Sequence, residues 1–374
     1  VKIAVNTRLL LKDKLDGIGY FSHEVLARLV RNHPEVEWLF IFDRKYNSEF
    51  IFGPNVKAVK IGPPSRHAVL WWIWFQISIP FILWKHKVDL FLSPDGYIPT
   101  WGKTPSLPVI HDINFEHQNH NLDPISGAYM RYFFPRFARK GKRVATVSQF
   151  SKKDIAQCYS INPRKIDLVY NGVSNKFKAL AISEVELQKK NWADGANYLL
   201  FIGSLNPRKN ISGMLEAYQI YRSNGGLAKF ILAGANMLGA KEIEKQHLKN
   251  PFHIDIIFTG RLTEDELIKL YGAAQALCFV SHFEGFGIPI LEAFKSDCPV
   301  ITANNTAMPE VAGDAAWLCD SNNSQEIAQA MLESEDEEIR QKFIRRGREQ
   351  VKKFSWDQSA EMMWTSISLS LTLN

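Results

Sequence analysis

Ser281-His-Phe-Glu-Gly-Phe-Gly-Ile-Pro-Ile-Leu-Glu-Ala-Phe-Lys295 is the stretch that decides how this chain reads. The apolar run just before it, 276–280, has the character of a buried parallel strand. Gly285 and Gly287 then give a tight turn in which backbone can approach a ligand closely. Pro289 stands where a helix can begin, because the first helical turn has no partner for the amide that proline lacks. Strand, glycine turn and helix start together make an anion-binding layout, with amides and the positive helix end converging on one point. Glu284 lies just before the turn and Glu292 one turn into the helix. Eight positions apart, they are separated by about 10 Å if the helix starts near Ile288. One carboxylate at each end of a bound diphosphate could then hold hydroxyls. A plain strand–helix corner with one surface and one capping glutamate reads equally well from these residues alone.

Working outward, strand-like runs recur at 198–203, 229–233, 255–259 and 300–302, each closing in small or turn residues. Helices fit between them, one at 264–274. This alternation implies a doubly wound parallel sheet. The first run leads into Ser204-Leu-Asn-Pro-Arg208-Lys209-Asn210 and a helix from Ile211. Two adjacent cations at a helix start oppose its dipole, at a cost of a few tenths to ~1 kcal/mol. That cost points to an anion for them to meet, against the alternative of two solvated surface charges. Residues 174–196 are polar and weakly patterned, which suits a connection between domains.

The first half repeats the architecture without repeating the sequence. Strands are expected at 1–6, 37–42, 56–61, 88–93, 106–111, 143–147 and 166–170, with an amphipathic helix over 21–31 carrying Val25, Leu26, Leu29 and Val30 inward. Asp16-Gly17-Ile18-Gly19-Tyr20 is a poor dinucleotide fingerprint. A third glycine is missing, and the loop starts about ten residues after the strand. It reads as a flexible loop near phosphates or as a plain turn. His111-Asp112 ends the 106–111 run, at the strand end where open α/β sheets place their ligands. A histidine there could donate to a substrate hydroxyl, steady developing charge, or be structural. The most apolar segment, 69–84, is too short to span a bilayer and contains Gln76, Ser78 and Pro80. It is either a helix buried between sheet and surface or a tryptophan-rich face resting on a membrane. A basic aromatic helix is expected over 131–140, and Ser148 as a helix cap. Two such α/β domains facing across a cleft would bind a ligand between their strand ends.

The 374 residues suffice for two full cores. Lys and Arg number 45 against 39 Asp and Glu, a mild +6 that suits an acidic small molecule or an anionic membrane surface and is weak evidence for nucleic acid, which is not expected as a partner. Cys158, Cys278, Cys298 and Cys319 show no metal spacing, so they are expected as reduced core thiols of a cytosolic protein. Because the sequence runs straight into a strand, no signal peptide is expected ahead of the fold. The expected location is therefore cytoplasmic, peripheral at the inner membrane face if the tryptophan-rich segment meets lipid.

With these residues placed, the chain resembles the family 4 retaining glycosyltransferases of the GT-B fold, and within them bacterial O-antigen and polysaccharide mannosyltransferases. The resemblance runs nearly end to end. It is carried by Asp16-Gly-Ile-Gly19, His111-Asp112, Val147-Ser-Gln-Phe-Ser-Lys152, Pro207-Arg-Lys-Asn210, Thr259-Gly-Arg-Leu262, Glu284-Gly-Phe-Gly-Ile-Pro-Ile-Leu-Glu292, Pro309-Glu-Val-Ala-Gly313 and Phe354-Ser-Trp356. It implies an N-terminal Rossmann-like acceptor-binding domain (1–173), a linker (174–196), a C-terminal Rossmann-like nucleotide-sugar domain (197–355) and a last helix (356–374) crossing back to the first.

The resemblance also implies roles. Glu284 and the amides of Gly285, Phe286, Gly287 and Ile288 hold the donor sugar, and Glu292 binds the ribose. Arg208 and Lys209 take the diphosphate, and His111 contacts the transferring sugar. Gly17 and Gly19 close near the phosphates, while backbone near Arg261 and Leu262 reads the base. Many relatives carry a basic residue where this chain has Ser204, which shifts the phosphate load onto Arg208 and Lys209. Fixed cations and amides stabilise a leaving diphosphate without a metal, and no Asp-x-Asp motif occurs. No metal and no cofactor are expected beyond the nucleotide-diphosphate sugar substrate. The expected reaction is retaining transfer of a hexose, mannose from GDP-mannose, to a polysaccharide or lipid-linked glycan. UDP-glucose, UDP-N-acetylglucosamine and GDP-fucose remain alternative donors. A sugar-nucleotide epimerase, or a binder of the same fold, remains an alternative function.

Overall fold

The computed structural model describes residues 1–12, 14–117, 123–235 and 240–372. Strands β1 (Lys2–Asn6), β2 (Glu37–Phe42), β3 (Val56–Lys60), β4 (Leu90–Ser93) and β5 (Ser106–Pro108) form a parallel sheet in the order β3-β2-β1-β4-β5. Their near-continuous apolar runs, such as Ile3–Val5 and Trp38–Phe42, fit strands covered on both faces. A bridge from Val109 to Ala145 attaches the short parallel pair β6 (Val144–Thr146) and β7 (Ile166–Leu168). Of the expected strand 106–111 only Ser106–Pro108 is regular, but its pairing runs on, with the Val109 amide donating to the Ser93 carbonyl at 2.9 Å and the Ile110 amide to the Ala145 carbonyl at 2.8 Å.

The first helix, Gly17–Asn32, begins four residues before the expected 21–31. Asp16 caps it by accepting from the Gly19 amide at 2.8 Å, so Gly17 and Gly19 form a helical first turn and not a loop. Gly19 is needed there, since a Cβ would sit 2.9 Å from the Leu9 carbonyl oxygen. The chain divides into two compact units, Val1–Gly172 with Ser355–Asn374, and Val173–Phe354. In the first, the last helix, Trp356–Thr372, packs on Gly17–Asn32. Arg28 pairs with Asp357 at 2.6 Å, and His33 stacks on Trp364 at 3.5 Å.

The second unit is a six-stranded parallel sheet. Its strands are β8 (Tyr198–Ile202), β9 (Lys229–Ala233), β10 (Ile256–Gly260), β11 (Ala276–Phe279), β12 (Val300–Ala303) and β13 (Ala316–Cys319), in the order β10-β9-β8-β11-β12-β13. The four-residue β13 was not expected from the sequence. Residues 174–196 differ from a structureless connection. They carry the helix Ile182–Ala193, whose start is capped by the Glu184 carboxylate accepting from the Ala181 amide at 3.3 Å. Leu180 packs over Gly272, where a Cβ would come within 2.5 Å of Leu180. Weak amphipathic patterning hid this helix. Three cysteines are buried, as expected, but Cys158 is exposed on the helix Gln149–Tyr159.

Candidate functional site

In each sheet the strand order reverses beside the first strand, at β1/β4 and at β8/β11, and carboxyl-end crevices form at such switch points. In the second unit both sequence-marked stretches arrive there. After β8 the chain passes Gly203 and Ser204, makes a short turn at Pro207–Lys209, and enters the helix Ile211–Ser223. After β11 it passes Glu284 and enters the helix Ile288–Lys295, with Gly287 as its cap at φ +105°. That left-handed conformation favours glycine, and Pro289 lies in the first turn as expected.

Three side chains predicted for the site touch one another. Lys209 Nζ donates to Glu284 Oε1 at 2.6 Å, and an Arg208 guanidinium nitrogen lies 3.0 Å from Glu284 Oε2. Arg208 also donates to the Phe283 carbonyl at 2.6 Å. Lys209 and Glu284 are both buried, and the Lys209 ammonium sits 4.7 Å from the Phe279 ring centre. Burial opposes a charge on Glu284, but Lys209 and Arg208 outweigh it and hold the carboxyl below its ordinary range. The sequence reading had set the cations at the diphosphate and Glu284 at the sugar; in the structure all three are in direct contact.

Backbone ties fix this arrangement. The His282 amide donates to the Arg208 carbonyl at 2.9 Å. Asn210, itself left-handed at φ 57°, donates from Nδ2 to the carbonyls of Val280 (3.1 Å) and Ser321 (2.7 Å). The Glu284 amide donates to Thr306 Oγ1 at 3.2 Å. Asn210, quoted in the Pro207–Asn210 motif without a role, and Thr306, which the sequence reading passed over, are positioning residues. A non-glycine φ > 0 leaves no pattern in one sequence, although Asn is the residue type that tolerates it best. Gly234 was read only as a turn, yet a Cβ there would fall 1.8 Å from the Gly203 carbonyl oxygen.

Glu292 is held differently. Tyr271, on the helix Glu264–Ala273, donates its hydroxyl to Glu292 Oε2 at 2.8 Å. Burial raises the Glu292 carboxyl to about 7, against the lowering effect of that hydrogen bond. Phe286 packs edge-on against Phe354 with ring centres 5.7 Å apart, which joins two of the quoted motifs. Ser204 Oγ accepts from Asn206 Nδ2 at 2.8 Å. Arg261 is exposed and Leu262 half-buried, beyond the end of β10 and two strands from β8. Gly285 is buried and Ile288 half-buried.

In the first unit, His111 follows β5 and its Nε2 lies 2.8 Å from the Pro94 carbonyl oxygen, so Nε2 carries the proton. Burial lowers its pKa against the pull of that carbonyl and of Asp112. A neutral ring whose only N–H is committed to Pro94 can meet a ligand only as an acceptor, through Nδ1. This corrects the expectation of a donor or a carrier of charge. Gly17 and Gly19 lie in the first turn of their helix, Gly17 exposed and Gly19 buried. Among the described residues, His117, Asp154 and Cys158 offer metal-ligand atoms within 4.8 Å of one another, a group on the first unit's surface that the sequence reading did not mark.

With this geometry in place, comparison with known proteins settles the class. A model of glycosyl transferases group 1 matches residues 183–350, and a model of glycosyltransferase family 4 matches residues 15–177. Together they span most of the chain, which belongs to the family 4 glycosyltransferases with the GT-B fold. The family is one of retaining, metal-independent enzymes using nucleotide-sugar donors. O-antigen chain mannosyltransferase B of Escherichia coli is 29% identical over 369 residues, covering 93% of this chain and 94% of the relative. O-antigen chain mannosyltransferase RfbU of Salmonella typhimurium (strain LT2) is 27% identical over 70% of each chain. The crystal structure of Anabaena Alr3699/HepE in complex with UDP and glucose shares the fold with a TM-score of 0.75 at 16% identity, covering 98% of this chain and 99% of that one.

Proposed function

We propose that this protein transfers mannose from GDP-mannose, with retention, to a polysaccharide or lipid-linked glycan in surface-glycan synthesis. The carrying observation is the convergence of Arg208, Lys209 and Glu284 beside the Gly285–Gly287 turn. Two cations, a carboxylate and a helix start suit a diphosphate joined to a sugar. Mannose is supported by the two O-antigen mannosyltransferases, one of them similar along nearly the whole chain.

In the proposed step the bond between the sugar's anomeric carbon and the diphosphate oxygen breaks while the acceptor oxygen bonds to that carbon on the same face. The acceptor's proton passes to the departing phosphate oxygen. Arg208 and Lys209 stabilise the charge growing on the leaving group, a preorganised electrostatic role. Glu284 holds sugar hydroxyls, and Glu292 accepts from the ribose.

A donor screen tests the reading. Thermal stabilisation and transfer to lipid-linked acceptor are measured with GDP-mannose, UDP-glucose, UDP-N-acetylglucosamine and GDP-fucose in turn. GDP-mannose should give the largest stabilisation and an α-linked mannosyl product. Preference for UDP-glucose would overturn the donor. A new sugar nucleotide formed from donor alone would replace transfer by epimerisation.

A further inference from the structure

The helix Ala68–Lys85 is apolar on both sides, and only one side is used by the core. Trp74, Phe75, Ile79, Ile82 and Leu83 face inward and are buried. On the other side Val69, Trp72, Ile77, Phe81 and Trp84 are exposed, the last four by 45, 51, 52 and 76%. Their spacing of three, five, four and three residues would wander around a regular α-helix. The five-residue step from Trp72 to Ile77 falls across the π-helical turn Trp74–Ser78. A π-turn closes from i to i+5 and absorbs the extra residue, which returns Ile77, Phe81 and Trp84 to the stripe begun by Val69 and Trp72.

Pro80 adds to the stripe. It has no amide to offer the carbonyl of Gln76 four residues earlier, and the Trp101 indole donates to that carbonyl at 2.7 Å. Trp101 is thereby fixed beside the helix with over half of its surface exposed. The neighbouring helix Pro124–Lys140 supplies exposed Tyr132, with the Arg136 guanidinium 3.5 Å from its ring centre. Lys140 at the end of that helix donates to the Gly102 carbonyl at 3.3 Å. Lys85 and Lys87 close the tryptophan-rich helix.

Charge says what covers this face. Residues 50–88 and 124–153 hold 13 Lys and Arg and no Asp or Glu. Residues 1–172 with 355–374, the first unit, hold 24 cations against 16 acids, a formal +8, whereas the whole chain is +6, so the second unit is −2. The positive charge is concentrated in the unit that carries the apolar stripe. A second copy meeting this face would bring the same cations against themselves. Anionic phospholipid answers both features, with acyl chains for the stripe and headgroups for the cations.

We infer that the first unit docks on an anionic lipid surface through Val69, Trp72, Ile77, Phe81, Trp84 and Trp101, with the helix lying in the membrane plane. The sequence reading took 69–84 as too short to span; the helix runs over Ala68–Lys85, 18 residues, and among the described residues it alone is long and apolar enough to cross a bilayer. Crossing would tear Trp74, Phe75 and Ile79 out of the core, so it lies on the membrane and does not span it. Docking is independent of the proposed donor and acceptor, since vesicles report it without turnover.

The test is flotation of the full chain with phosphatidylcholine vesicles, with and without one-third phosphatidylglycerol. Binding is expected to the anionic vesicles at low salt and should fall at least about tenfold at high salt, as screening shortens the reach of the charges. W72S/F81S/W84S should lower vesicle affinity about tenfold or more while circular dichroism and donor binding stay unchanged. R136E/K140E should weaken binding only to the anionic vesicles. Wild-type protein left unbound at low salt would overturn the inference, as would a triple variant that still floats. A dimer that the triple variant abolishes, without vesicle binding, would assign the face to a second copy instead.

Discussion

At the carboxyl edge of both sheets, where the strand order turns back, a carboxylate is buried against basic side chains, yet the two clusters differ in stoichiometry. In the first unit Arg8 Nε meets Asp95 Oδ2 at 2.5 Å, while the other Asp95 oxygen accepts from Asn6 at 2.7 Å and Ser93 at 3.0 Å. The guanidinium lies 4.6 Å from the Tyr97 ring centre and 5.3 Å from that of Phe75. One cation serves one carboxylate, and every side of the pair is packed. In the second unit two cations share Glu284, beside a glycine turn and a helix start. The same topological position thus holds a closed latch in one sheet and a surplus of positive charge in the other. Under the proposed function it is the second cluster that would receive the diphosphate.

That contrast can be broken experimentally. The largest effect is expected from Glu284→Ala. Turnover at saturating donor should fall about a thousandfold, equivalent to ~4 kcal/mol of barrier. Affinity for free nucleoside diphosphate should be kept or tightened, because Arg208 and Lys209 lose an internal competitor. Turnover kept at the wild-type level with affinity lost would reverse the roles. Asp95→Ala, by comparison, should lower the stability of the first unit by about 3–5 kcal/mol, since it strands a buried guanidinium. A urea midpoint that hardly moves would remove the latch.

Lys209→Ala should weaken nucleoside-diphosphate binding more than tenfold, at least ~1.4 kcal/mol. Unchanged affinity by calorimetry would take Lys209 out of the site. The smallest effect concerns pH. Glu292 is raised to about 7, so between its ordinary range and about 7 the folded protein holds a proton that the unfolded chain has released. The stability this contributes is present at low pH and is lost as pH rises through about 7. A hydroxyl donor prefers the carboxylate form, so ligand affinity should rise about threefold from roughly pH 6 to 8 with proton release. Glu292→Gln should flatten that rise; a rise that persists in the variant assigns it to another group.

Much of this was legible in the chain. Apolar runs of four to six residues, each followed by small residues, announce parallel strands because both faces of such strands are covered. Lys229–Ala233 was read to the residue. The start of the helix Ile288–Lys295 followed from Gly287 and Pro289, whose backbone limits are local. One boundary failed on a local signal, the Asp16 side chain capping its helix through the Gly19 amide, and another on a distant one, since β13 is four residues long and gains its meaning only by pairing with β12.

The sequence by itself determined the alternation of strands and helices, the glycine turn between two glutamates, and the paired cations ahead of their helix. These depend on backbone preferences and periodicity that operate within a few residues. Tertiary structure alone decided that Glu284 is shared by Lys209 and Arg208, some 75 positions away in the chain, and that His111 spends its proton on Pro94. It also decided that a π-turn aligns one apolar stripe outward while its opposite side fills a core. Contacts between distant segments fix charge, tautomer and exposure, and periodicity along the chain carries no record of them.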